Sequence, residues 1–219
     1  GFKVLGRAKR QSRAQSSRLL APRPQDQAPL GFQEIIHLMY NNLKCKFMTN
    51  DIFLSPHFKL SEFEASQKAK EHGIVNVAPP EAVENLRRLC EGCLEPLREA
   101  LRLPIVITSG FRCKALNDLL AHSSSTSQHM RGEAADFFIG SGVTVQGSGL
   151  SRRELLVTAF KFILIDPKID YDQLILYPTF IHVSYVSKER NRRGILLARG
   201  DGKLGYGRIT LSNALKINF

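Results

Sequence analysis

Ser127-Gln128-His129-Met130-Arg131-Gly132-Glu133-Ala134-Ala135-Asp136-Phe137-Phe138-Ile139 is the stretch around which the chain is organised. A histidine and an aspartate stand seven positions apart, with small residues between them. His129 follows a Ser-rich loop from His122 to Ser127, and Asp136 opens the apolar run Phe137-Phe138-Ile139, which predicts the start of a strand. An acid at the mouth of a buried strand is costly unless a partner compensates its charge. A metal ion is one such partner. Far downstream, Phe180-Ile181-His182-Val183-Ser184-Tyr185 is another strand-like run with a histidine inside it. Two imidazoles and a carboxylate are ordinary zinc ligands and leave a fourth position for water. His129, Asp136 and His182 are therefore the expected Zn2+ site. Each residue alone also reads as ordinary structure, a hydrogen-bonded strand histidine or a capping acid.

The flanking sequence supplies the frame. Tyr171 to Leu176 and Phe180 to Val186 read as strands separated by Tyr177-Pro178-Thr179, a hairpin. Period 2 puts Phe180, His182 and Ser184 on one face, so that His182 can face Asp136 across neighbouring strands. Upstream, Ile105-Val106-Ile107-Thr108 is a β-branched strand, and the turn at Ser109-Gly110 leaves Arg112 at its end. A guanidinium suits a carboxylate because it donates two parallel hydrogen bonds. Pro79-Pro80-Glu81 starts the clearest helix, apolar at Val83, Leu86, Leu89, Cys93, Leu97 and Leu101. Pro96 is expected to kink it, and it is expected to brace the sheet from behind. Ser61 to Glu64 and Ser151 to Glu154 fit capping boxes, the second opening a helix to Ile165. Together these signals predict an α+β fold, a small antiparallel sheet carrying a zinc site and packed against helices.

The linked motifs Thr108-Ser109-Gly110-Phe111-Arg112, Leu116-Asn117, Ser127-Gln128-His129 with Gly132, Ala134 and Asp136, Asp172-Gln173-Leu174-Ile175 and His182-Val183-Ser184 resemble the zinc D-Ala-D-Ala carboxypeptidase family. That family includes phage endolysin peptidases and has a fold similar to the hedgehog signalling domain. The resemblance spans roughly Phe58 to Ser187, and all its parts occur in order. It implies that His129, Asp136 and His182 hold Zn2+, and that Arg112 meets the substrate carboxylate or the developing oxyanion. It also implies substrate contacts from Ser127 and Gln128, and a peptidoglycan stem peptide as substrate. One departure stands out. The family places a general-base Glu shortly before the last His, and here Leu176 to Ile181 contains no acid. Tyr177 or a neighbour occupies that place, and Glu133 and Asp172 are the nearest acids to the motifs. A non-catalytic zinc module that binds cell-wall peptide or a protein partner is the competing expectation.

Composition sets the bounds. The 219 residues are 43% hydrophobic and carry a net charge of +11. Residues 1–47 hold nine Lys/Arg and two acids, +7 of that total. The basicity belongs mainly to this Arg-, Ser- and Pro-rich segment, so no nucleic-acid partner is expected. The segment reads as a disordered leader, followed by a peptidase-like domain over 48–190 and a Gly-rich tail over 191–219. No apolar run is long enough to span a membrane, no secretory pattern is visible, and a monomer is expected, either cytoplasmic before release or acting at the bacterial cell wall. Cys90-Glu91-Gly92-Cys93 falls inside a helical pattern without a second pair, so it reads as core rather than as a redox or metal motif. Lys188 to Arg193 reads as a solvated charged face.

Overall fold

Alternation of apolar and polar residues in the two central strands is what seats the sheet. In the computed structural model, which describes residues 51–121, 123–140, 149–200 and 202–218, the expected α+β architecture is present. Two short strands, β1 (Phe53–Ser55) and β2 (Phe58–Lys59), form a small antiparallel pair. The larger sheet has six strands in the order β3-β4-β6-β5-β7-β8. These are β3 (Ile105–Ser109), β4 (Ala134–Ile139), β5 (Gln173–Leu176), β6 (Ile181–Ser184), β7 (Gly194–Ala198) and β8 (Tyr206–Arg208). All its neighbours are antiparallel except β5 and β7, which run parallel.

Register decides which residues share a face. Asp136 pairs with His182, His182 with Ile175, and Ile175 with Leu196. That row crosses four strands on one face. The residues between them, Ala135, Phe137, Ile181, Val183, Leu174 and Leu176, point the other way and are buried. They meet helix α6 (Arg152–Ile165), which buries Leu155, Leu156, Val157, Ala159, Phe160 and Ile163. Helix α6 is thus the brace behind the sheet, and the helix after Pro79-Pro80 is not. The latter packs on β1, on the turn before β4 and, through its last segment, on α6. Its one-sided burial of Ala82, Leu86 and Leu89 suits a helix at the edge of the core.

The Pro96 kink takes a specific form. Helix α3 (Pro80–Leu89) passes through a π-helical turn, Cys90–Leu94, into α4 (Glu95–Leu101). Pro96 has no N–H for the carbonyl of Gly92, four residues back. The backbone N–H of Asp170 takes that carbonyl instead, at 3.0 Å. Both thiols of the C-x-x-C are buried in this turn, and burial pushes them up. Reactive thiols need the opposite shift, so the core reading of Cys90 and Cys93 stands. Nearby, the buried Glu95 accepts from Ser55 Oγ and is held by His57. Burial acts to raise that carboxyl, but these bonds win and lower it.

Local caps fall partly as expected. Ser151 accepts from Glu154 N–H and the Glu154 carboxylate accepts from Ser151 N–H. Near the N-terminal end, α1 (Leu60–Glu64) begins two residues earlier than the sequence suggests. Glu62 receives the N–H of Lys59, while Ser61 Oγ turns to Asp51. Helix α2 (Gln67–Glu71) has Ser66 as its cap, and α5 (Lys114–Leu119) follows β3.

The Gly-rich end is a correction. It is no loose tail, because β7 adds to the sheet beside β5 and β8 beside β7, and a short helix α7 (Leu211–Leu215) follows. Gly200, Gly202 and Gly205 take positive φ in the connection between β7 and β8, so here glycine serves a tight turn. The leader and most of the loop from Gly140 to Gly149 lie outside the described residues.

Candidate functional site

Three elements aim the candidate side chains. The 3₁₀ turn Gln128–Arg131 carries His129, β4 carries Asp136 and β6 carries His182. Two glycines make the approach possible. After β3 the chain turns at Gly110, where an added Cβ would lie 2.6 Å from Phe63 Cα. That close packing lets Phe111 N–H reach Phe63 O and Arg112 N–H reach His129 O, which locks the arginine turn to the histidine turn. Gly132 ends the 3₁₀ turn at φ 72°, and a Cβ there would sit 2.3 Å from the carbonyl oxygen of Ala82. Gly132→Ala is expected to destabilise the fold by about 2–5 kcal/mol, through left-handed strain of about 1–2 kcal/mol and overpacking of about 1–3 kcal/mol. Chemical denaturation checks this, and an unchanged midpoint would contradict the seating of the turn on α3.

Asp136 Oδ1 lies 2.8 Å from His182 Nδ1 and 3.4 Å from His129 Nε2, and the two ring nitrogens are 3.3 Å apart. All three residues are buried. His129 Nδ1 lies 2.7 Å from the carbonyl oxygen of Gly110. A carbonyl only accepts, so Nδ1 carries the proton and Nε2 turns a lone pair into the cluster. Burial holds His129 below its ordinary value and keeps it neutral. For Asp136, burial acts upward, but the charges and hydrogen bonds of His129 and His182 outweigh it and hold the carboxyl well below the usual range. The cluster therefore turns the His129 Nε2 lone pair and the Asp136 carboxylate towards His182 Nδ1. That electron-rich geometry fits a cation. A tetrahedral zinc with ligands at about 2.1 Å would separate its ligand atoms by about 3.4 Å, close to two of the three spacings found here. Among the described residues this is the one group of His, Cys or acid side chains that can hold a metal.

Around the cluster the open sheet face floors a cavity of about 630 Å³. Gln173, Ile175, Tyr177 and Leu196 form part of the floor, and Arg112, Ser127, Gln128, Arg131, Arg190 and Arg192 part of the wall. Arg112 Nη2 donates to Asp136 Oδ2 at 2.7 Å and Nε to Ser109 Oγ at 2.9 Å. Asp172 also lines the cavity but is 1% exposed. Its oxygens accept from Arg192 Nε, Nη2 and backbone N, and from Gln128 Nε2. Burial acts to raise it, and these bonds lower it. Glu133 is outside the cavity lining, with its carboxylate on Arg131 Nε and Nη2. Tyr177 stacks on Phe180 and shares a hydroxyl hydrogen bond of 2.9 Å with Tyr206. Burial first, then that bond, pushes the Tyr177 phenol up, so it stays protonated.

Sequence reasoning missed Tyr206, Arg190 and Arg192. The last two sit in the charge run read as a solvated face, and Tyr206 in the region read as tail. No local signal marks them, because the parallel pairing of β7 with β5 is what brings that end of the chain to the site.

An α+β domain with a buried His-Asp-His cluster on the floor of an open polar cavity has the makings of a metal-dependent hydrolase. Residues 56–148 match the family model Peptidase M15, a match that supports a metallopeptidase family fifteen assignment. The matched segment holds Arg112, His129 and Asp136 and ends before His182. No curated protein matches the chain. Among the described residues, no helix is long and apolar enough to cross a membrane.

Proposed function

We propose that the chain is a zinc-dependent peptidase acting on peptidoglycan stem peptides, of the D-Ala carboxypeptidase or endopeptidase type, and working as a monomer. The observation that carries this reading is the convergence of His129 Nε2, His182 Nδ1 and Asp136 Oδ1, all within 3.4 Å of one another. These three residues hold the metal. When bound, zinc supplies Lewis-acid activation of a water and of a carbonyl. The protein's own groups do the rest. Gly110 O fixes the His129 tautomer, a support typical of metal-bound imidazole. Arg112 orients Asp136 through Oδ2, and its remaining N–H groups face the cavity to meet the oxyanion. Ser127 and Gln128 line the substrate path.

Asp172 has both oxygens on Arg192, and Glu133, outside the cavity lining, has Oε2 on Arg131, so we assign them to holding the arginines of the cavity wall. Tyr177 is left at the place where the family has its Glu, and a protonated phenol donates rather than accepts. This observation favours a second reading, a zinc module that binds cell-wall peptide without cleaving it. Incubating the zinc-loaded chain with a D-Ala-D-Ala-terminated stem peptide separates the two. Release of D-Ala, or internal cleavage, supports the peptidase, and saturable binding without products supports the module.

A further inference from the structure

Four arginines line the cavity, and three have the same edge of the guanidinium already in use. Arg131 gives Nε and Nη2 to Glu133. Arg192 gives Nε and Nη2 to Asp172. Arg112 divides the same two nitrogens between Ser109 and Asp136. That edge is the one that fits a carboxylate with two parallel bonds. Arg190 is different. Among the described residues its side chain makes no ion pair, and it stands exposed beside the exposed Glu189.

The turn that carries Arg190 is also held firmly. Arg190 and Asn191 N–H both bond Ser187 O, and Asn191 Oδ1 accepts from Val186 N–H. Asp170 receives Asn191 Nδ2 and Arg193 Nη2, and Asp172 receives the backbone and side chain of Arg192. Two acids thus clamp three consecutive residues just after Arg190. The backbone of the turn is thus fixed, and meeting a ligand costs mainly the rotamer freedom of the Arg190 side chain.

We infer that Arg190 is the substrate-binding residue that holds a carboxylate of an anionic peptide in this cavity, a role the sequence suggests for Arg112. The inference rests on the peptidase or peptide-binding reading of the site. The carboxylate has two possible sources, the peptide's C-terminus or an acidic side chain, and the test separates them.

The full chain, loaded with zinc, is titrated by calorimetry with acetyl-Lys-D-Ala-D-Ala as free acid, its C-terminal amide, and an amide carrying an internal glutamate. Wild type is expected to bind at least one carboxylate-bearing probe about 10- to 100-fold more tightly than the plain amide, the value of a charge-assisted pair. A preference for the free acid identifies the C-terminus, and a preference for the glutamate probe identifies a side chain. Arg190→Gln is expected to abolish that preference and Arg190→Lys to keep part of it, with zinc content unchanged in both. Arg190→Gln that keeps the full preference overturns the assignment, as does a zinc-loaded wild type that ignores every carboxylate. A chain that takes up no zinc contradicts the metallopeptidase reading instead, and the probe comparison, which needs no turnover, still tests Arg190.

Discussion

Asp136→Asn is expected to weaken zinc binding by more than about 100-fold and to cost the metal-free chain about 3–5 kcal/mol at pH 7. The substitution keeps the shape of the side chain, so the packing of β4 between β3 and β6 is preserved and charge is what is lost. Asp136 Oδ1 faces His182 Nδ1 and Oδ2 takes Arg112 Nη2. An amide nitrogen at the Oδ2 place meets the Arg112 donor, and either orientation leaves the largely buried Arg112 without its counter-ion. The folded carboxyl lies below its unfolded value of about 3.9, so its stabilisation is complete above that range and is lost as pH falls through the folded value. The acid limb of the stability curve should therefore be shallower in the variant. Zinc titration against a competing chelator and denaturation at neutral and acid pH check the three parts. Wild-type zinc affinity in the variant would remove Asp136 from the ligand set.

The second large effect concerns the proton acceptor. Tyr177→Glu is expected to raise peptide turnover by about 10²–10⁴-fold, the usual contribution of a positioned general base. Tyr177 lies two residues beyond Ile175 and follows the strand that Ile175 shares with the His182 register. It lines the cavity, and its phenol feels the charges of Asp136 and Arg112. A carboxylate there would sit within reach of the cluster and, unlike Asp172, would have no arginine saturating it. The variant also gives up the stack on Phe180, worth about 1 kcal/mol, and a denaturation curve separates that loss from chemistry. Turnover that falls or stays level, with zinc content intact, would mean that the proton leaves by another route.

How much of this was legible depends on the reach of the interaction. The face on which His182 lies could be foreseen from strand period and one hairpin, both local properties, whereas its pairing with Asp136 joins β4 to β6 and was indicated only by the order of the linked motifs. The same holds for Ser151 and Glu154, whose capping partners lie three residues apart. The glycine positions in the motifs were visible as letters, but their reason was not. Gly110 is required by the backbone of Phe63 and Gly132 by the carbonyl of Ala82, contacts that only the folded chain creates. Pro96 predicted a break, whereas its repair by Asp170 N–H spans more than seventy residues and has no sequence signature. The strands β7 and β8 were hidden by glycines whose positive φ serves a turn. With those strands went Tyr206, Arg190 and Arg192, which line the cavity. Helix α6 was legible as a helix, but its position behind the sheet depends on packing rather than on period.

The central claim is that His129, Asp136 and His182 hold one zinc ion, and metal content tests it most directly. The purified chain is incubated with zinc, freed of excess and analysed beside His182→Ala. About one zinc per wild-type chain, lost in the variant while its fold persists, is the predicted result. A folded wild type that retains no zinc, or a His182→Ala variant that retains as much as wild type, would contradict the account.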